Sequence, residues 1–291
     1  MKKKFNWIAI VGYPRYSSSF FTHKVLYYWL TKNNYNVVIE RSIAKILNFK
    51  NARVGTLMEI GSKCDLAIVV GGDGNMLYVS RILSYYPISI IGVNRGNLGF
   101  LTDLNPDTVI ISLSKILSGE YSIERRFLLE VSIVKNHKKR VYIALNEFFL
   151  HSEEVTHMIE FEVFIDQKFS FYQKSDGLII STPTGSTGYS LSSGGPILFS
   201  SLEAIILVSI FPHTLFSRPI VIHSNSIIVL KLFYSDKQVN INCDSQVVIP
   251  VDEHDKIIVR KSKNYLNLIH PKSYHYFNIL SSKLNWSKNF F

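Results

Sequence analysis

The hydrophobic pattern of this chain changes period once, near Tyr121, and that change limits the fold more than any motif does. Before it, short apolar runs at residues 7–11, 35–40, 66–70 and 87–93 alternate with segments of helical spacing. Residues 22–30 carry Val25, Tyr28 and Trp29 on one helical face, and residues 57–62 and 76–83 read as short helices. A further helix has Asp107 near its start, Val109, Ile110, Leu113 and Leu117 on its apolar face, and Gly119 after its end. Strand and helix in alternation predict an α/β N-terminal domain with a Rossmann-like parallel sheet wound by right-handed crossovers. Past Tyr121 the period is two: Ile159, Phe161, Val163 and Ile165 alternate with Glu160, Glu162 and Phe164. Comparable runs at residues 128–134, 141–149, 220–221, 227–233, 239–241 and 256–260, several separated by polar turns, predict an all-β sandwich domain. The expected division is 1–120 and 121–271, followed by a tail, 272–291, whose Phe277, Leu280 and Leu284 share one helical face.

A chain of 291 residues has material for two such domains. Lys and Arg outnumber Asp and Glu by 32 to 22, a net charge of +10 that admits nucleic acid, an anionic membrane or a small polyanion as partner. The basic residues are scattered and form no stripe on an expected helix, which favours a generic basic surface, then steering of phosphorylated ligands, over nucleic acid. Two cysteines, Cys64 and Cys243, make neither a disulfide framework nor a thiolate metal site and fit a reducing, cytoplasmic location. Residues 2–11 faintly resemble a signal peptide, but the apolar part is short and Gly12-Tyr13-Pro14-Arg15 interrupts it, so it reads as a first strand. No apolar run reaches the ~20 residues that span a bilayer, so no membrane partner is expected.

The five apolar residues Leu66-Ala67-Ile68-Val69-Val70 suit a parallel strand covered on both faces, and they run into Gly71-Gly72-Asp73-Gly74-Asn75. Three glycines leave the N–H groups of the turn uncovered, and a helix starting near Asn75 adds its positive dipole end, so the turn reads as an anion site, most naturally for phosphate. An acid inside a phosphate cradle repels the ligand unless it has a task, such as accepting a hydroxyl proton during phosphoryl transfer or holding a metal on the phosphates. A tight turn with a solvated Asp73 is the alternative. The turn is neither a Walker loop nor a dinucleotide fingerprint.

Four other stretches carry polar groups at strand ends. Residues 92–100 form a second glycine turn in which Arg95 is placed to reach a phosphate or to lie at the surface. Residues 176–196 combine hydroxyls and glycines with Tyr189, neutral donors and an aromatic ring that suit a nucleobase and ribose; a flexible connection is the alternative. Asn146-Glu147 and Cys243-Asp244-Ser245-Gln246 place amides and carboxylates where ribose hydroxyls or an adenine amino group can be read, or where a turn needs them. The histidines show no metal-ligand spacing on one helix, so no protein-only metal site is expected.

Taken together and in order, Gly71 to Asn75, residues 92–102 (GVNRGNLGFLT), Asn146-Glu147, residues 176–196, Pro212-His213-Thr214-Leu215, Arg218-Pro219, residues 243–246 and residues 266–271 (LNLIHP) resemble the bacterial NAD kinases over nearly the whole chain. The resemblance implies transfer of the γ-phosphoryl group of ATP to the 2′-hydroxyl of the adenosine ribose of NAD. It implies Asp73 as proton acceptor, with Mg²⁺ arriving on the triphosphate. NAD contacts are implied for Asp73, Gly74, Asn146, Glu147, His157, Lys174, Asp176, Thr187, Gly188, Tyr189, Ser190, Leu191, Ser192 and Gln246, and phosphate or ATP contacts for Gly71, Gly72, Gly74, Asn75 and Arg95. It further implies a two-domain NAD kinase-like fold whose tail returns to the first domain, and a homotetramer or other homo-oligomer. The chain departs from the family pattern in three places. Asn75 replaces a frequent Thr, Asp244-Ser245-Gln246 replaces Asp-Gly-Gln, and Lys174 replaces an Arg, losing bidentate geometry. A non-catalytic NAD(P) sensor, or a related kinase acting on a lipid or sugar hydroxyl, would share the same turns.

Overall fold

In a computed structural model, residues 4–13, 17–49, 51–96, 99–154, 157–214 and 217–286 are described. The chain forms two compact units, residues 1–125 with 266–291, and residues 126–265. Among the described residues no helix is long and apolar enough to cross a membrane.

The first unit is built on a parallel sheet. Its strands lie in the order Ser89–Asn94, Leu66–Gly71, Trp7–Val11, Asn36–Glu40 and Arg53–Gly55, and the last residues of Lys256–Pro271 pair beyond Ser89–Asn94 through Asn267 and Leu268. Leu66–Gly71 is central and buried along its whole length, as its unbroken apolar run requires. Chain order reverses between Trp7–Val11 and Leu66–Gly71, which makes the crevice beyond their carboxyl ends the place where such sheets bind ligands. Helices Ser17–Lys32, Arg41–Leu47, Leu57–Lys63, Asp73–Leu83 and Val109–Ser118 complete the unit, and the last stops on Gly119 in the left-handed region. Arg41–Leu47 and Arg53–Gly55 carry no pattern long enough to be read from the sequence.

The C-terminal segment belongs to this unit. His270 is buried, bonding Asp103 Oδ2 through Nδ1 and Glu124 Oε2 through Nε2 at 3.0 Å, with Tyr274 stacked 3.8 Å from its ring. Burial lowers the imidazole, but the two carboxylates outweigh it and hold the group above the usual histidine range. Helix Tyr276–Leu284 follows and buries Leu280, whereas Phe277 is exposed.

The second unit is a β-sandwich. One antiparallel sheet contains Lys168–Ser175, Ile159–Ile165, Ile228–Leu232 and the first half of Lys256–Pro271, with Tyr121–Lys135 and Lys138–Ala144 beyond it. The other runs Ile220–His223, Ala204–Ile210, Gly177–Ser181, Glu147–Ser152, Val239–Cys243 and Val247–Val251. Phe161, Val163, Leu230 and Ile257 from the first sheet share one core with Phe148, Leu150, Ile180 and Ile241 from the second, as inward-facing alternate residues must.

Three expectations are corrected. The run 141–149 is two strands, broken at Leu145 and Asn146, because the Asp244 carboxylate accepts the N–H groups of Leu145, Asn146 and Glu147 at 3.0, 2.8 and 3.2 Å and draws the backbone out of the ladder. The strand expected at 256–260 continues to Pro271. The helix after the glycine turn starts at Asp73 rather than near Asn75, since Gly72 supplies the first carbonyl to Asn75 and Met76.

Candidate active site

In the first unit the strand Leu66–Gly71 delivers the glycine turn. A Cβ on Gly71 would lie 2.0 Å from Asn75 Nδ2, because the Asn75 amide folds back to donate to the carbonyls of Tyr13 at 3.0 Å and Val70 at 3.4 Å. Asn75 thus clamps the ends of two neighbouring strands. At Gly72, the helix N-cap, a Cβ would meet nothing within 4 Å, so the N-terminus of Asp73–Leu83 is open on that side, as an anion site needs. Gly74 is exposed in the first turn.

Asp73 is held by backbone. The Phe100 N–H donates to Oδ2 at 2.8 Å and the Leu101 N–H to Oδ1 at 3.1 Å, and Gly99 is required there because a Cβ would fall 2.0 Å from Oδ1. The side chain is about a third exposed, 32%, and Lys283 Nζ stands 3.8 Å from Oδ2. The second glycine turn therefore serves to fix the acid of the first. Arg95 donates from Nε to Thr22 Oγ1 at 2.6 Å, and its backbone N–H bonds Gly71 O at 3.1 Å.

In the second unit Asn146 and Glu147 lie at the strand break created by Asp244. Residues 181–188 wrap the same corner: Thr182 N–H and Ser181 Oγ donate to Asn146 O at 2.8 and 3.2 Å, and Thr182 Oγ1 to Leu145 O at 2.7 Å. A Cβ on Gly188 would lie 3.2 Å from Asn146 Nδ2 and 3.5 Å from Glu147 Oε2, so the Thr187 to Ser192 segment passes directly over the pair. The hydroxyls of Ser186 and Thr187 donate to Pro183 O and Thr184 O, holding the loop in a short helical course.

Among the described residues, Asn146 Oδ1, Glu147 Oε2 and Ser190 Oγ at this corner are buried and meet no hydrogen-bond partner. Unsatisfied buried groups cost roughly 1–3 kcal/mol each and point to a ligand that satisfies them. Glu147 is only 4% exposed; burial, with the charge of Asp244 adding to it, pushes its carboxyl up to about 8. Tyr189, 41% exposed and edge-on to Phe149 at 5.2 Å, lines a cavity of about 500 Å³ with Ser192, Gly194, Phe211 and Arg218. Leu191 is half-buried beside it.

The remaining expected contacts make local interactions. Lys174 Nζ donates to Glu160 Oε1 at 2.7 Å, His157 Nε2 lies 3.5 Å from Asp236 Oδ1, and the Asp176 N–H bonds Ile210 O at 3.0 Å. Gln246 is exposed at the hairpin after Asp244 and Ser245. Among the described residues no group of three or more His, Cys, Asp or Glu stands together to hold a metal ion. Sequence reasoning did not single out Asp244 as the organiser of the corner, nor Lys283. Nothing local to a lysine in the last turn of a tail helix signals a carboxylate 210 positions earlier in the chain.

An acid held by backbone at a glycine-turn helix start is an arrangement that phosphoryl transfer to a hydroxyl can use. Residues 8–121 match the family model described as the ATP-NAD kinase N-terminal domain, and residues 145–271 match the ATP-NAD kinase C-terminal domain. The chain belongs to the ATP-NAD kinase family. It is 61% identical over 292 residues to the NAD kinase of Buchnera aphidicola subsp. Baizongia pistaciae (strain Bp) and 56% identical to that of Photorhabdus laumondii subsp. laumondii, covering all of both chains in each case. Among solved structures, the NAD kinase from Archaeoglobus fulgidus in complex with ATP superposes with a TM-score of 0.75 at 25% identity, covering 96% of this chain and 98% of that one. Yeast NADH kinase complexed with NADH shares the fold, with a TM-score of 0.89 at 23% identity over 98% of this chain and 89% of that one.

Proposed function

We propose that the chain transfers the γ-phosphoryl group of ATP to the 2′-hydroxyl of the adenosine ribose of NAD, giving NADP, with Asp73 as proton acceptor. The observation that carries this reading is the Asp73 carboxylate, fixed by two backbone N–H groups at the open start of a helix. Each oxygen accepts one such bond and keeps lone-pair capacity for a substrate hydroxyl. The relatives named NAD kinase, at 56–61% identity over their full length, support the substrate assignment.

The hydroxyl oxygen attacks the γ-phosphorus while the bond to the β–γ bridging oxygen breaks, and ADP leaves. In a loose transition state the hydroxyl becomes acidic only as the new bond forms, so even a weakly basic carboxylate accepts the proton late. The open N–H groups of the turn and the dipole of Asp73–Leu83 draw the phosphates in. A divalent cation, Mg²⁺, would arrive on the triphosphate and supply neutralisation of phosphoryl charge there.

Asn146, Glu147 and Ser190 hold the dinucleotide through their unsatisfied atoms, and Tyr189 offers a ring for a base. Because its carboxyl is pushed up to about 8, Glu147 is mostly neutral at pH 7 and both donates to and accepts from ribose hydroxyls. His157, Lys174, Asp176, Thr187, Gly188, Leu191, Ser192 and Gln246 belong to the same proposal as NAD contacts, and Gly71, Gly72, Gly74, Asn75 and Arg95 as donor contacts. Cytoplasmic residence and assembly as a homotetramer or other homo-oligomer complete it, supported by the family likeness.

Purified protein with NAD, ATP and Mg²⁺ should yield NADP, read with an NADP-specific dehydrogenase. Asp73→Asn should lower turnover by about 10³-fold while dinucleotide binding, measured by titration, stays near wild type. Full activity in the variant would remove Asp73 as base. Dinucleotide binding without phosphotransfer in the wild type would leave a sensor.

A further inference from the structure

Lys283 lies in the last turn of the helix Tyr276–Leu284. Its Nζ stands 3.8 Å from Asp73 Oδ2 and 3.8 Å from the centroid of the Phe100 ring. Phe100 thus serves two charges: its backbone N–H bonds the Asp73 carboxylate, and its ring face carries the ammonium. The Lys283 side chain is 17% exposed, an unusual state for a lysine in a terminal helix. A helix C-terminus favours a cation through its dipole, but that effect is satisfied by a charge in solvent and does not ask for burial against an aromatic ring and a carboxylate.

Asp73 has a difficulty that Lys283 resolves. A carboxylate at the open N-terminus of a phosphate-binding turn repels the triphosphate it is meant to serve, and at contact distance near a protein surface that repulsion exceeds thermal energy several-fold. A cation on Oδ2 cancels the monopole without occupying the lone pairs that accept a proton. Among the described residues Lys283 is the cation that forms an ion pair with Asp73; Arg95, the nearer candidate in sequence, bonds Thr22 from Nε. Burial holds the Lys283 ammonium below its ordinary range, and the charge of Asp73 opposes that effect in part.

We propose that Lys283 is a positioning residue for phosphoryl transfer, acting through Asp73 to let the carboxylate and the donor's phosphates share one turn. This rests on the reading of the Gly71 to Asn75 turn as the donor site. It goes beyond that reading by bringing in a residue of the C-terminal helix.

The test is a double-mutant cycle on donor binding, with ATP and Mg²⁺ titrated calorimetrically into wild type, Lys283→Met, Asp73→Asn and the double variant, alongside NAD titrations and steady-state kinetics. Lys283→Met should weaken ATP binding and lower kcat by about tenfold each, with KM for NAD within about twofold of wild type. Asp73→Asn, relieved of the repulsion, should bind ATP several-fold more tightly, and adding Lys283→Met to it should cost no more than about twofold. Lys283→Arg should recover most of the loss. Equal cost of Lys283→Met in the wild-type and Asp73→Asn backgrounds, or no cost in either, would overturn the proposal. If Lys283→Met does not fold, as judged by lost NAD binding, Lys283→Gln keeps polarity and serves in its place. Turnover of Asp73→Asn reports the base and ATP affinity reports the coupling, so the two readings fail separately.

Discussion

Asp73 and Glu147 both sit at a strand end, one in each unit, and their surroundings treat the carboxylate in opposite ways. Asp73 receives two backbone N–H bonds and a lysine ammonium and keeps a third of its side chain in solvent. Glu147 is buried, receives no bond at Oε2, and has Asp244 as its charged neighbour. The first arrangement solvates an anion with fixed protein dipoles and suits a proton acceptor; the second penalises an anion and suits a neutral group that both gives and takes hydrogen bonds. Asp244 shows that burial alone does not decide this. It is equally buried, yet three backbone N–H groups point at it, and it stays in place as a structural acceptor. The supply of backbone donors separates the three acids.

The contrast is broken most severely at Asp244. Asp244→Ala leaves three buried N–H groups without an acceptor and should cost about 3–5 kcal/mol of unfolding free energy, seen as a lowered urea midpoint. Dinucleotide binding should weaken with it as the Asn146–Glu147 corner loosens. An unchanged midpoint would mean that the strand break is sustained by something other than this carboxylate.

Glu147→Gln probes the neutral acid. A carboxyl whose folded value is raised binds its proton more tightly than the unfolded chain does. The ligand-free wild type therefore loses stability as pH rises from about 4.5 towards about 8, the values that bound the shift. The glutamine variant should lack that decline and be the more stable protein at pH 8, as read from denaturation midpoints across the range. A parallel decline in both proteins would place the raised group elsewhere.

The smallest effect concerns the hairpin that presents Asp244. Asp244 and Ser245 have φ of 49° and 54°, both positive, in the three-residue connection between Val239–Cys243 and Val247–Val251, which the Gln246 N–H closes on Cys243 O at 2.9 Å. Ser245→Gly should relieve that strain and stabilise the fold by about 0.5–1 kcal/mol, without changing NAD binding. Loss of stability would show that the serine contributes more than it strains.

Much of the architecture was legible because it depends on local pattern. Five apolar residues before two glycines leave little choice but a buried strand and a turn, and Leu66–Gly71 is that strand. Ile159–Ile165 alternates because one face is core and the other is not. The helix at Val109–Ser118 stops where Gly119 permits a left-handed residue. The Gly71 to Asn75 turn, the 176–196 stretch and Asn146-Glu147 were visible as polar groups at strand ends, the position at which α/β and β proteins expose backbone to ligands.

The tasks of individual residues were less legible. No local signal shows that the Asn75 amide reaches the Tyr13 carbonyl beyond the neighbouring strand. Nor does one show that Thr22 of the first helix meets Arg95 Nε. The run 141–149 looks continuous, and only an aspartate about a hundred positions later interrupts it.

By itself the sequence determined the longer periodic segments, such as Leu66–Gly71, Ile159–Ile165 and Val109–Ser118, and the family likeness, since periodicity and glycine placement act over a few residues. Tertiary structure alone decided that Phe100 and Leu101 hold Asp73, that Glu147 Oε2 meets no donor among the described residues while Asp244 receives three, and that Lys283 returns to the turn. Electrostatic and hydrogen-bonding environments depend on distances of a few ångströms, and a linear chain does not encode such distances locally.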